Sequence, residues 1–286
     1  MKTVGVIVNL EKPGTRELLE VLGEKASKAG LTLIYDETCS EALAQPREEC
    51  DPFFQKLDAV LTLGGDGTLL GAVRRMQAHP VPILGVNFGK LGFLTSITQD
   101  RIDEALHALV TGNVLTSKRR LIECRYRNPG EEFHSVEALN DVVLSWGTSS
   151  HIATLEVRVN HQTVTTYTCD GLIVATPTGS TGHSLSAGGP ILAPETNALI
   201  LNPICPHAMT ARPVVMNGET ELTIQLAEHS KSLVLACDGQ PVADMIPGGE
   251  ITTRSTDHLI ELLQLPDYDY WEVLRDKLNW RGSSIG

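Results

Sequence analysis

Over roughly the first hundred residues the chain alternates short apolar runs with stretches where apolar residues recur every three or four positions. Residues 3–9, TVGVIVN, predict a β-strand. From Gly14 to Gly30, Leu18, Leu19, Leu22, Ala26 and Ala29 recur at helical spacing, and Gly30 supplies a stop. LTLIYD (31–36) predicts a second strand, and DAVLTL (58–63) a third, apolar on both faces as a central parallel strand is. A helix is expected from Thr68 to about Ala78, then a strand over VPILGVN (81–87). Asp100 is expected to cap an amphipathic helix whose apolar face carries Ile102, Ala105, Leu106 and Leu109. This βαβα order implies a parallel sheet covered by helices.

The pattern changes near residue 115. From there to about 265, short alternating runs are separated by turn residues, with little helical periodicity. LIECRYR (121–127) is followed by Asn-Pro-Gly, and IATLEVRVN (152–160) runs through His161-Gln162 into TVTTYTCDGLIVAT (163–176), a predicted hairpin. ELTIQLA (221–227) and SLVLAC (232–237) repeat the pattern, so this region reads as all-β. The last stretch, DYDYWEVLRDKLNW (267–280), returns to helix with Trp271, Leu274 and Leu278 on one stripe, placed to pack back on the first domain. The fold class is therefore α/β plus all-β, with domains at 1–115 (joined by 266–286) and 116–265.

With 286 residues and 42% hydrophobic content, the chain can build a full core. No apolar run approaches the ~20 residues of a membrane helix, and the start MKTVGVIVNL lacks the pattern of a signal peptide. A cytoplasmic protein is expected. The net charge of −12 argues against broad binding to nucleic acid or to anionic membranes, both of which demand basic surface. The cysteines at 39, 50, 124, 169, 205 and 237 form no CxxC pattern, and reduced, mostly buried thiols are expected. The histidines show no HxxxH spacing, so no preformed transition-metal site is read.

Chemistry enters at Gly64-Gly65-Asp66-Gly67-Thr68, between a buried strand and a helix. Ligands of α/β sheets bind at that strand end, glycines let amides approach a phosphate, and a helix N-terminus favours an anion. A carboxylate there repels phosphate. It has a purpose if it orients or deprotonates a hydroxyl that attacks the phosphate, or holds a metal. A lone Gly-Asp-Gly is explained by turn chemistry, but the full pentad at this junction is more specific.

Three further segments are rich in polar small residues. In residues 168–192, Thr176 to Gly182 supplies hydroxyls, glycines and room for a polar ligand, with Asp170 and Thr168 just before it, read as lying on one strand and facing one way. Asn140-Asp141 stands at the front of a strand, where an Asn can both donate to and accept from a base edge or ribose. CDGQPVAD (237–244) reads as a hairpin whose Asp238-Gly239 turn needs no function, and Gln240 can still face a site.

In combination these segments resemble the NAD kinases: GGDGT (64–68), VNFGKLGFLT (86–95), Asn140-Asp141, DGLIVATPTGST (170–181) with SLSAGGPI (184–191), PICPHAMTARPVV (203–215) and DGQ (238–240), in that order. GGDGT is shared with diacylglycerol and sphingosine kinases and a phosphofructokinase, but those lipid kinases lack the long TPTGST…SAGGP segment. The resemblance implies a Rossmann-like N-terminal domain and a β-sandwich-like C-terminal domain carrying a dinucleotide site. It implies transfer of a phosphate from ATP or polyphosphate to the 2′-hydroxyl of NAD, a divalent cation (usually magnesium), and homodimers or homotetramers. By position, Asp66 matches the catalytic aspartate with Gly67 beside it. Asn140 and Asp141 match the motif that holds the dinucleotide. Asp170, the stretch Thr181, Gly182, His183, Ser184, Leu185 and Ser186, and Gln240 match dinucleotide contacts, and Thr168 and His151 fall where relatives place polar or basic ones.

Two departures stand out. The acid after Asn140 is Asp rather than the commoner Glu, and Gly182-His183 replaces Ala-Tyr. His183 keeps a planar hydrogen-bonding ring and introduces a group whose charge changes near neutrality. The rival readings are a lipid kinase built on the same pentad, disfavoured by the acidic balance and the lack of a basic amphipathic helix, and a non-catalytic dinucleotide sensor. A dehydrogenase is a third, but no GxGxxG follows the first strand.

Overall fold

The computed structural model of the chain describes residues 2–44, 50–76, 79–89, 91–147 and 152–280. Its first apolar run is β1 (Lys2–Val8), followed by α1 (Thr15–Ala29), β2 (Leu31–Tyr35), α2 (Glu37–Ala42), α3 (Cys50–Gln55), β3 (Ala59–Gly64), α4 (Asp66–Met76), β4 (Ile83–Asn87), the two-residue β5 (Ile97–Thr98) and α5 (Ile102–Thr111). Residues up to Lys118, together with those from Ile260 onward, form one compact unit. Helix α1 ends where Gly30 takes a left-handed φ of 85°, a conformation glycine adopts without a Cβ penalty. The first four strands of this unit pair in parallel: β2 and β3 flank β1, and β4 lies beyond β3. Strand β3 is buried along its whole length, as a strand covered on both faces must be.

Two sequence expectations shift here. Helix α4 begins at Asp66 itself, two residues before Thr68, and Ala78 lies outside the described residues. Asp100 does not cap α5. It sits inside a 3-10 turn, Gln99–Arg101, where the Thr98 hydroxyl donates to it and holds its carboxyl below the usual range.

The second unit runs from Arg119 to Leu259. Its strands are β6 (Leu115–Arg127, beginning in the first unit), β7 (His134–Ala138), β8 (Asp141–Ser145), β9 (Ala153–Val159), β10 (Gln162–Cys169), β11 (Gly171–Ala175), β12 (Ala198–Ile204), β13 (Val214–Asn217), β14 (Leu222–Leu226), β15 (Leu233–Cys237) and β16 (Gln240–Met245). The short helix α6 (His183–Ser186) interrupts them after β11. Six strands make an antiparallel sheet in the order β13-β12-β11-β8-β15-β16. The other face of the sandwich comes from β10, β9 and β14. Leu155, Val157 and Ile224 from this face share one core with Val142, Leu144, Leu172, Val174 and Leu235 of the six-stranded sheet. Burying each of these side chains is worth about 1.5–3 kcal/mol.

The predicted hairpin is present as β9 and β10, joined by Asn160 and His161, both at positive φ. It stops at Cys169. The chain then changes sheets, and GLIVA continues as β11 in the six-stranded layer. Asp170 therefore lies between two strands and not on the strand of Thr168, so the period-two argument that paired their directions does not hold.

The chain re-enters the first unit within β17 (Glu250–Gln264), whose Leu262 and Leu263 pair in parallel with β4. Then α7 (Tyr270–Leu278) follows, capped by Asp269, whose carboxylate accepts from the Trp271 amide at 2.8 Å. Its buried residues are Val273 and Leu274, while Trp271 is 56% exposed. At 100° per residue Trp271 lies about 110° from the centre of the stripe made by Val273 and Leu274, outside it, which corrects the stripe expected from the sequence. No described helix is long and apolar enough to cross a membrane.

Candidate active site

Strand β3 ends at Gly64, and the chain turns at Gly65 into α4 with Asp66 as its first residue. Gly65 O accepts from the amides of Thr68 and Leu69, while the amides of Asp66 and Gly67 at the start of α4 have no intrahelical acceptor. Gly67 is exposed, with open space where a Cβ would stand. This junction thus offers amides and a helix N-terminus to an anion.

The Asp66 carboxylate is not loose. Its Oδ1 accepts from the Leu94 amide (3.2 Å), the Thr95 amide (3.1 Å) and the Thr95 hydroxyl (3.0 Å). Its Oδ2 accepts from the Phe93 amide alone, at 2.9 Å. Thr95 is fully buried, and its Oγ1 also accepts from Asn87 Nδ2 and the Gly92 amide. The segment 92–95 therefore forms a backbone cradle that leaves Oδ2 as the oxygen with capacity for another partner. The sequence marked VNFGKLGFLT as familiar without giving it this task. Lys90 lies outside the described residues.

Beside Gly67 and Thr68 lies a cavity of 420 Å³, lined also by Asn9, Glu11, Arg74 and Arg75. Arg75 is committed to the buried Asp36 (2.7 Å), which in turn accepts from the Cys39 amide and so caps α2. Among the described residues Arg74 is the cavity-lining cation without an ion pair. The sequence also makes Lys90, Arg119 and Arg120 available to the donor's phosphates, although a solvated face explains them equally well. Arg119 is buried, and Arg120 binds Thr256 O and Asp257. Arg74 and Arg75 carry no sequence signal beyond helical position.

In the second unit, Asn140 precedes β8 and Asp141 opens it. Thr176 packs on them from β11's end: its amide donates to Asn140 O, and its hydroxyl to Leu139 O at 2.6 Å. Gly179 lies so close that a Cβ there would meet Asn140 O at 2.0 Å. Gly182 faces the same pair, its virtual Cβ 3.8 Å from Asp141 Oδ2 and 3.9 Å from Asn140 Nδ2. Asn140, Asp141 and the Thr176–Gly182 turn are thus brought together. The Asn140 Oδ1 is buried with no hydrogen-bond partner, a cost that a ligand donor would remove.

Asp141 is 5% exposed, and burial, then the charge of Asp238, pushes its carboxyl up to about 7. Asp238 is the residue the sequence reading passed over. Its carboxylate accepts from the amides of Leu139 (2.8 Å), Asn140 (2.7 Å) and Asp141 (3.2 Å).

The remaining predicted residues are spread along the same unit. Thr181 ends a 3-10 turn, its hydroxyl donating to Thr178 O. His183 and Ser186 are exposed on α6, Leu185 is half-buried, and Ser184 turns inward, 3.3 Å from Asn202 Nδ2. Asn202, on β12, also donates to Ser184 O at 2.9 Å and so anchors this helix, a second role the sequence did not reveal. Thr168 is exposed and its carbonyl accepts from the His207 amide; Asp170 is half-buried and Gln240 is exposed at the start of β16. His151 lies outside the described residues. Among the described residues, no cluster of three or more His, Cys, Asp or Glu could hold a metal ion.

Comparison with known proteins points to one family. The ATP-NAD kinase N-terminal domain matches residues 4–114, and the ATP-NAD kinase C-terminal domain matches residues 139–265. The NAD kinase of Magnetococcus marinus is 36% identical over 288 residues, covering 98% of this chain and 94% of its own. That of Cellvibrio japonicus is 42% identical over 235 residues, 82% of this chain and 78% of its own. Among solved structures, yeast NADH kinase complexed with NADH superposes with a TM-score of 0.88 at 24% identity, over 100% of this chain and 89% of that one. An Archaeoglobus fulgidus NAD kinase in complex with ATP gives 0.76 at 24%, over 98% and 100%. At that identity the likeness speaks to the fold.

Proposed function

This chain belongs to the ATP-NAD kinase family, and from that premise we propose how its own residues carry the reaction. The protein is an enzyme that phosphorylates NAD with ATP to give NADP. The lipid-kinase and sensor readings have no support from the comparisons.

Asp66 orients the 2′-hydroxyl of the adenosine ribose and accepts its proton at Oδ2. The single observation that carries this role is the cradle at 92–95, which occupies Oδ1 three times and Oδ2 once. As the proton leaves, the ribose oxygen attacks the terminal phosphorus and the bond to the ADP oxygen breaks. First-turn amides of α4 offset charge on the transferring group, so positioning and electrostatics supply most of the acceleration. The 420 Å³ cavity beside Gly67 and Thr68 takes the donor's phosphates, with Arg74 as their counter-charge.

Asn140, with its unpaired Oδ1, and Asp141 hold the dinucleotide, supported by Asp170, Thr181, Gly182, His183, Leu185, Ser186 and Gln240. Ser184 acts through its backbone and its tie to Asn202. Thr168 and His151 are retained as further polar or basic contacts. The described residues build no cage for a cation, so magnesium fits this site as a passenger on the donor phosphates, where it would screen their charge. A homodimer or homotetramer in the cytoplasm completes the reading; light scattering tests the assembly.

The experiment is NADP formation from NAD, ATP and magnesium, read by an NADP-specific dehydrogenase, with Asp66→Asn alongside. Asn keeps the size and loses the base, so kcat should fall roughly 10²–10⁴-fold while NAD affinity by calorimetry stays within about threefold. Near-full turnover of the variant would remove Asp66 from the chemistry. Wild-type turnover with polyphosphate but not ATP would reassign the donor.

A further inference from the structure

We propose that Asp238 is a positioning residue for dinucleotide binding: its carboxylate sets the backbone of Leu139–Asp141 and so presents Asn140 and Asp141 to the ligand. The inference rests on the reading that Asn140 and Asp141 hold NAD.

The turn that carries Asp238 does not require a carboxylate. Asp238 and Gly239 have φ of 48° and 73°, the conformation of a two-residue hairpin turn, and Asn-Gly or Gly-Gly satisfies it equally well. Yet three successive amides, from Leu139, Asn140 and Asp141, converge on this one side chain at 2.7–3.2 Å. The Asp238 amide returns a bond to Asp141 O at 3.0 Å, so the turn and the start of β8 grip each other in both directions. Backbone N–H groups in such a place are costly to leave unpaired, and a carboxylate is the side chain with enough acceptor sites to take all three.

The opposite side of the same segment is held too. Thr176 takes up the carbonyls of Leu139 and Asn140, and Gly179 packs where no Cβ would fit. A segment pinned on both sides cannot relax to satisfy its own side chains. That explains how Asn140 Oδ1 stays buried and unpartnered, and why Asp141 is kept inside facing a second acid. Both are unfavourable arrangements that only a rigid backbone maintains, which is how a site stays complementary to a ligand.

The test uses Asp238→Asn in the full-length enzyme, with Asp238→Gly as a second variant that preserves the turn and Asn140→Ala as a check on the underlying reading. Removing charge-assisted bonds to amides is expected to raise KM for NAD about 10- to 100-fold in Asp238→Asn. KM for ATP should stay within about threefold, a split that general loss of folding would not give. Amide exchange at 139–141 should speed up in the same variant. An unchanged NAD KM, or equal losses in both KM values tracking a lowered Tm, would overturn the proposal. If Asn140→Ala weakens NAD and both Asp238 variants do not, the positioning role alone fails. If Asn140→Ala leaves NAD binding intact, the reading beneath it fails as well. Should neither Asp238 variant fold, fast exchange of the 139–141 amides in the wild type would refute it, and slow exchange would support it.

Discussion

A methyl group on Gly92 would stand 1.9 Å from Oδ1 of Asp66 and 2.5 Å from Oγ1 of Thr95. No side chain can occupy that space while the carboxylate is docked. The obstacle is contact rather than strain, since Gly92 is not among the residues at positive φ. Gly92→Ala is therefore expected to dislodge the carboxylate and cut kcat by about 10²-fold or more, as loss of an aligned catalytic group does. Steady-state NADP formation beside NAD titration calorimetry checks this. A variant with wild-type kcat would show that the docked position is not the working one.

Thr95→Val tests the same cradle more gently. Valine keeps the shape but removes the hydroxyl that donates to Asp66 and accepts from Asn87 and the Gly92 amide. Leaving such buried groups unpaired costs about 1–3 kcal/mol. The expected outcome is a melting temperature several degrees lower and a smaller kcat defect than in Gly92→Ala. A kcat defect equal to that of Asp66→Asn would make Thr95 a direct participant.

Arg74→Ala should separate donor from acceptor. If the cavity beside Gly67 and Thr68 takes the ATP phosphates, loss of its unpaired guanidinium raises KM for ATP about 10-fold and leaves KM for NAD near wild type. Arg75→Ala is expected to lower stability instead, because Asp36 would be left buried without its ion pair. Equal effects of the two on ATP would contradict this division.

Why some of this was legible in the sequence and some was not follows from the physics of particular residues. Strand β3 and the Gly64–Thr68 turn were readable because continuous burial and glycine at a strand–helix junction are local properties. Asn140 and Asp141 were readable as polar residues at a strand front, but the orphaned Oδ1 and the raised carboxyl belong to tertiary burial. Asp238 was dismissed because Asp-Gly satisfies a hairpin by itself; its three amide partners lie some 100 residues away in the chain. The partners of Asn202 and Thr95 are likewise set by tertiary contacts that no local pattern announces. The Thr168–Asp170 pairing failed because a period-two pattern cannot reveal that a chain changes sheets between two such residues.

His183 is exposed at the start of α6, and Gly182 before it has room for a Cβ at 3.4 Å or more from every neighbour. Gly182→Ala should therefore fold and bind NAD within about threefold of wild type. His183→Ala should weaken NAD binding by more than about threefold, as loss of a hydrogen-bonding contact does. Calorimetry checks it, and an unchanged affinity would remove His183 from nucleotide binding.

The buried acid at Asp141 makes a prediction about stability. Its ordinary value is 3.8, and in the folded chain it is pushed up to about 7, first by burial and then by Asp238. Between those two values the folded protein holds a proton that the unfolded chain has released. Stability then falls as pH rises through this window, and above about pH 7 both states are ionised and the full penalty is present. At 1.36 kcal/mol per unit the penalty is on the order of 4 kcal/mol. Asp141→Asn removes the titration while keeping a polar group of the same size. Relative to wild type, the variant should gain little at pH 4 and gain progressively toward pH 8, so the difference in denaturant midpoint should widen with pH. A difference that narrows with rising pH would mean that Asp141 is ionised in the folded protein throughout, held by a partner that outweighs burial and Asp238.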